Sequence, residues 1–89
     1  MSNEQETLLE FPCQFPIKAM GLAADDFDAL VVGIIRRHVP DLGEGAVKSR
    51  ASSNGKYVSV TVTITAESKD QLDRIYVDLT RHERVMTVL

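Results

Sequence analysis

Cysteine is nearly missing from this sequence. Cys13 stands alone, so no intrachain disulfide can form and no cysteine-only metal cage can assemble within one chain. Tryptophan is absent and aromatics are 6% of the residues, which leaves few rings for stacking nucleic-acid bases. No uninterrupted apolar run approaches the roughly 20 residues that span a bilayer. The opening Met-Ser-Asn-Glu-Gln-Glu-Thr is polar and acidic where a secretory signal is basic and then apolar. There is no excess of positive charge either: a formal net charge of -3 gives no global attraction to nucleic acid or an anionic membrane. Together these absences lead us to expect a soluble cytoplasmic protein that stays off the membrane and away from nucleic acid.

What is present fits one small domain. The chain has 89 residues, 44% hydrophobic and 26% charged, which is ordinary globular composition and argues against wholesale disorder. A chain this short buries only about 60–65% of its unfolded surface, so its stability margin is thin. Residues 1–7 are expected to be a flexible tail, with one domain from residue 8 to 89.

The clearest pattern is at residues 56–66. Val58, Val60, Val62, Ile64 and Ala66 alternate strictly with Tyr57, Ser59, Thr61, Thr63 and Thr65. Successive side chains on a strand point to opposite faces, so this strand has one apolar face and one hydroxyl-rich face. A strand covered on both sides reads instead as a continuous apolar run. The sheet is therefore expected to be covered on one side and open on the other.

The remaining segments supply the partners. A first strand is predicted at residues 15–20, with Pro16 at its start and Gly21 ending it. Phe27, Leu30, Val31, Ile34, Ile35 and His38 follow helical spacing and predict a helix over 25–39, acidic at its start, basic at its end and stopped by Pro40. A weaker strand at 46–52 would place Lys48 and Arg50 opposite Val47, Ser49 and Ala51, and Asn54-Gly55 suits the positive φ of a hairpin turn. Ser68 and Gln71 form a capping-box pattern for a helix carrying Leu72, Ile75, Tyr76 and Leu79, before a last strand at 85–89 whose inward face is ambiguous. The order β-α-β-β-α-β with right-handed crossovers gives an α+β, ferredoxin-like sandwich: a four-stranded antiparallel sheet with two helices on one face.

That architecture hosts many activities, so each needs its own signature. Stacking single-stranded RNA requires several aromatics on the central strands, and only Tyr57 is there. Metal carriers of this shape place two cysteines in the loop after the first strand; here that loop is Gly21-Leu22-Ala23-Ala24. His38 and His82 lack nearby soft ligands, and each sits at a predicted helix end, where the dipole favours positive charge. Acyl-phosphate hydrolysis needs an arginine in the first loop, which has none. The carboxylate pairs Asp25 with Asp26 and Asp70 with Asp73 fall in predicted first turns of helices, where they serve the helix. The expectation is a protein that is not an enzyme and uses neither metal nor cofactor.

Three features remain as binding candidates. Lys48, Arg50 and Lys56 lie in an acid-free stretch and, with Lys18, predict a basic zone on or beside the open face. Tyr57 offers a ring with a hydroxyl on that face, alongside Ser59, Thr61 and Thr63. Met20 and Gly21 sit at a strand–helix junction of the kind where backbone N–H groups can hold a small ligand. The plainer alternatives are edge-strand protection by the cations, a ring resting over its own hairpin, and a turn glycine.

Several segments together carry a family resemblance: Leu8-Leu9-Glu10-Phe11-Pro12, Phe15-Pro16-Ile17-Lys18-Ala19-Met20-Gly21, Arg37-His38-Val39-Pro40 and Gly55-Lys56-Tyr57-Val58-Ser59-Val60-Thr61. The chain resembles the YbeD-like family of small bacterial proteins over nearly its whole length. The resemblance implies a ferredoxin-like fold similar to the ACT regulatory domains of amino-acid enzymes. It carries over no catalytic residues, and it links some relatives with lipoate metabolism. Two functions are then expected to compete. One is a regulatory or adaptor domain that binds a protein partner through the open face or an edge strand. The other is an ACT-like sensor of a small anionic metabolite near Gly21, acting as a homodimer joined through strand edges.

Overall fold

The first strand is longer than its sequence suggests. A computed structural model describes residues 9–89, so the expected tail at 1–7 lies outside the described residues. The elements run β1 (Cys13–Leu22), α1 (Phe27–Arg36), a 3-10 turn (Glu44–Ala46), β2 (Val47–Ala51), β3 (Tyr57–Ala66), α2 (Lys69–Arg81) and β4 (Thr87–Val88). Strand order is β2-β3-β1-β4 and every pairing is antiparallel. This is the ferredoxin-like arrangement, with both helices packed on one side of the sheet.

β1 differs from the expected 15–20 at both ends, for reasons visible in its hydrogen bonds. The Lys18 N–H donates to the Leu89 carbonyl at 3.1 Å and the Leu89 N–H donates back at 2.8 Å. The even-numbered N–H groups of β1 thus point toward β4. β4 pairs only with Ala19 and Met20, so among the described residues no strand lies opposite Pro16 on that side. Its missing N–H costs no ladder bond, and the strand runs through it. Gly21 does not end the strand either; it pairs with Val58. A Cβ there would lie 2.5 Å from the Arg84 carbonyl oxygen and 2.6 Å from the Phe27 ring. Glycine is required at this position for space.

Ile17, Ala19, Val60, Val62, Ile64 and Ala66 form the sheet's half of the core and are buried. Phe27, Val31, Ile34 and Ile35 come down from α1, and Leu72, Ile75 and Leu79 from α2. α1 is shorter than the expected 25–39. The carboxylate of Asp26 does not cap the helix; it accepts two hydrogen bonds from the Arg84 guanidinium, at 2.8 and 3.1 Å. After Arg36 the chain tightens: the Arg37 N–H bonds to Ile34 and the His38 N–H to Ile35. His38 therefore sits in a turn rather than in the last turn of the helix.

α2 starts where its capping pattern places it, with one change of partner. The Ser68 Oγ accepts from the Gln71 N–H at 3.1 Å, as expected. The Gln71 Oε1, however, accepts from Glu67 N–H at 2.7 Å instead of from Ser68. Its Nε2 donates to the His38 carbonyl at 3.2 Å, tying the end of α1 to the start of α2. In the β2–β3 hairpin only Gly55 has positive φ, 74°. Asn54 contributes its side chain, whose oxygen accepts from the Ser52 hydroxyl at 2.8 Å and the Lys56 N–H at 2.9 Å.

β4 resolves the ambiguity of the last strand by following neither alternation. Val85 is buried and Val88 packs on the core, while Met86, Thr87 and Leu89 point outward. Met20 pairs with Thr87, yet its carbonyl also accepts from the Met86 N–H at 2.8 Å. Two residues thus face one, a β-bulge, which lets Val85 and Val88 share a side despite their odd spacing.

The crowded glycine of β1 and the uncrowded one of α1 give opposite expectations. Gly21→Ala forces an overpacked contact with backbone and should destabilise by about 1–3 kcal/mol. Gly33 lies inside α1 with no heavy atom near the place a methyl would take, so Gly33→Ala should stabilise by about 0.5–1 kcal/mol through lower unfolded-chain entropy. Thermal unfolding reads both, at roughly 4–8 °C per kcal/mol; midpoints moving in the same direction would contradict this account of Gly21.

Candidate open-face interaction site

The pairing register fixes which side chains share the open face. Across β1, β3 and β2, Lys18 aligns with Thr61 and Lys48, and Met20 aligns with Ser59 and Arg50. Leu22 aligns with Tyr57 one step above, and Pro16 with Thr63 one step below. Lys56 lies in the hairpin loop, with its ammonium 5.6 Å from the Tyr57 ring centroid, close enough for a cation–π contact. Every binding-face residue proposed from the sequence therefore comes together except one. Gly21 has the parity of Ile17 and Ala19 and is buried on the helix side, filled against by Phe27 and Arg84.

The face is electrostatically one-sided. Lys18, Lys48, Arg50 and Lys56 are exposed, and none pairs with a carboxylate among the described residues. The outward positions of the described strands carry no aspartate or glutamate. The acids line the helices and loops instead, as in Lys69–Asp73 and Arg74–Asp70 on α2. A shallow depression of about 260 Å³ opens on the face, bounded by Lys18, Met20, Arg50, Tyr57 and Ser59.

Sequence reasoning missed the apolar part of this surface. Leu22, Met86 and Leu89 are 58%, 56% and 68% exposed, and all lie toward the β1–β4 side of the open face. Ending β1 at Gly21 hides Leu22; its parity with Met20 is the available signal. Met86 is turned outward by the bulge, which leaves no trace in hydrophobic periodicity.

Away from the face, several ionisable groups have structural partners. His38 Nε2 lies 2.7 Å from Asp78 Oδ2, joining the turn after α1 to α2. His82 is the residue that ends α2, and its Nδ1 accepts from the Arg84 N–H at 3.2 Å. Among the described residues, no three His, Cys, Asp or Glu side chains form a group that could hold a metal ion. The hydrogen bonds from Arg84 hold the Asp26 carboxyl below its ordinary 3.8, with the guanidinium charge adding to the effect. Burial pushes the Tyr76 hydroxyl above its ordinary 10.0 while it donates to the Leu89 carbonyl at 3.1 Å.

The family described as "Protein of unknown function (DUF493)" matches residues 6–89. The chain belongs to this family. A UPF0250 protein of Chromobacterium violaceum is 48% identical over 89 residues, covering 100% of both chains. One from Hahella chejuensis is 36% identical, covering 99% of this chain and 97% of the relative. The YbeD-like resemblance points to this same family. Among solved structures, HP0495 of H. pylori matches with a TM-score of 0.72 at 14% identity, over 100% of this chain and 93% of that one. The ACT domain from the GTP pyrophosphokinase of Chlorobium tepidum matches at 0.64 with 18% identity, over 85% and 84%. These two likenesses establish an ACT-like ferredoxin fold for this family member.

Two outcomes follow from this geometry. Lys48 and Arg50 are exposed and unpaired, so Lys48→Glu with Arg50→Glu should leave stability within about 0.5 kcal/mol, read by thermal unfolding. A large drop would mean that these side chains hold the sheet. Asp26 contributes stability above its unfolded value of 3.8 that is lost as pH falls through its lower folded value. Arg84→Ala should bring the Asp26 titration, followed by NMR, back up toward 3.8; an unmoved midpoint would remove Arg84 as the cause.

Proposed function

We propose that this protein is a non-enzymatic regulatory or adaptor domain, acting in the cytoplasm, that binds another protein through its open sheet face. The observation that carries this reading is the charge segregation. In a chain of net charge -3, the open face presents Lys18, Lys48 and Arg50 with no aspartate or glutamate among the described residues. Random placement of surface charge mixes signs, and cations that only protect an edge strand need not extend to Lys18 on the interior strand β1. Complementary potentials speed encounter and select partners, which suits a module that recognises an acidic surface. The exposed apolar residues beside the cations add area whose burial favours association.

The sensor reading has weaker support. Its proposed anchor, Gly21, has its side-chain space taken by the Phe27 ring and the Arg84 carbonyl. The likeness to an ACT domain bears on fold and brings no ligand with it.

The reading is tested by capture from lysate of a bacterium that makes this protein, with the chain and its Lys48→Glu, Arg50→Glu variant as paired baits. At least one partner should be retained by the unaltered chain and lost by the variant. Identical partner sets would rule out the basic face as the contact surface.

A further inference from the structure

We infer that the occupant of the open face is an amphipathic helix of a partner protein, with an apolar stripe beside an acidic flank. This rests on the reading of the face as a protein-binding surface and specifies what it recognises. The face is divided lengthwise. Leu22, Met20, Met86 and Leu89 cluster toward β4, with Lys18 standing among them beside Leu89, and Lys48 and Arg50 stand on β2. Between them runs the β3 column, where Ser59 and Thr61 are short and the Tyr57 ring bounds the end level with Leu22. Long side chains on both flanks and hydroxyls in the middle make a shallow trough, seen as the depression bounded by Met20, Ser59 and Arg50.

The dimensions suit a helix. Strands lie about 4.8 Å apart, so β1 and β2 are separated by about 10 Å, the diameter of an α-helix with its side chains. Leu22 and Lys18 are four residues apart on β1, about 13 Å, which is the rise of about nine helical residues. A helix along β3 therefore sets one stripe over Leu22, Met20 and Met86 while its flank meets Lys48 and Arg50. An extended peptide has no comparable claim on the face. The ladder bonds of β3 are directed to β1 and β2 in the plane of the sheet, so only side chains are offered outward.

Charge complementarity selects the acidic flank and argues against a lipid surface. An anionic bilayer attracts this small group of cations but repels the rest of a chain with 13 acidic residues against 10 basic ones. The bulge in β4 adds an independent sign. A regular strand continuing from the inward Val88 turns Met86 inward and Val85 outward. The extra residue keeps Val85 in the core and places Met86 on the apolar flank.

The test uses the whole chain and a synthetic peptide of about four helical turns, with leucines at i, i+3, i+4 and i+7 and glutamates along one adjacent flank. A peptide of the same composition with its order scrambled, and vesicles of phosphatidylglycerol, serve as alternatives. The expected result is NMR amide shifts at Met20, Leu22, Ser59 and Met86 with the ordered peptide, weakening with salt and missing with the scrambled one. Binding should fall about tenfold or more in the Lys48→Glu, Arg50→Glu variant. It should fall similarly in Leu22→Ser, Met86→Ser, whose folding is checked by the amide spectrum. Equal binding of the scrambled peptide overturns the helix inference, while a partner still lost from the Lys48→Glu, Arg50→Glu bait leaves the open-face reading standing. No shift with either peptide overturns the inference, and unchanged lysate capture by that bait overturns the face as well. Shifts with vesicles alone assign the face to a lipid surface. Concentration-dependent shifts at these residues without any peptide assign it to a second copy of the chain.

Discussion

β1 and β3 pair over ten residues, Cys13 against Ala66 through Leu22 against Tyr57, and the rest of the molecule depends on that register. Ile17 meets Val62 and Ala19 meets Val60 on the buried side, so both helices find a continuous apolar floor. A slip by one residue turns Lys18 and Met20 into the core and Ala19 out to solvent. Burying an unpaired ammonium costs several kcal/mol, so the hydrophobic pattern specifies this register strongly. The glycine at position 21 belongs to the same constraint. The Phe27 ring enters the core over that backbone, and the Arg84 carbonyl closes it from the β4 side.

The division of charge is a consequence of that pairing. Once alternation assigns Lys18, Lys48 and Arg50 to the side away from the helices, no element among the described residues covers them. The acids are carried by helices and loops, where some find partners, such as Arg84 for Asp26 across the fold and Lys69 for Asp73 within α2. The fold thus holds a basic surface apart from an acidic body, and the ion pairs among the described residues lie away from the open face. The cations can meet an incoming carboxylate without first losing one of their own among the described residues. On contact with an acidic surface, this arrangement would spare the reorganisation of breaking an existing ion pair.

An ACT-like fold is often read as a promise of a small-molecule site at the junction between its first strand and helix. In this chain Gly21, at the strand end of that junction, has its side-chain space filled by the Phe27 ring and the Arg84 carbonyl. A fold hosts many sites and determines none of them. The family match gives the chain its relatives, and the solved structures give its architecture; the chemistry of the face comes from this chain's own side chains.

Much of this was determined by sequence. The alternation at residues 56–66, the Ser68 cap and the two helical stripes specified the element order and both faces of the central strand, because each is a local consequence of backbone periodicity. The grouping of Lys18, Lys48, Arg50, Tyr57, Ser59, Thr61 and Thr63 followed from parity alone. Tertiary structure decided where local rules were overridden by neighbours. Pro16 and Gly21 are tolerated inside β1 because one faces an unpaired stretch of edge and the other a crowded ring. Asp26 leaves the start of α1 uncapped because Arg84, distant in sequence, binds its carboxylate. The outward turn of Met86 depends on a bulge that satisfies the buried positions of Val85 and Val88 together. Periodicity reports what each residue does with its own backbone; the apolar half of the open face is set by contacts between strands that the chain brings together only when folded.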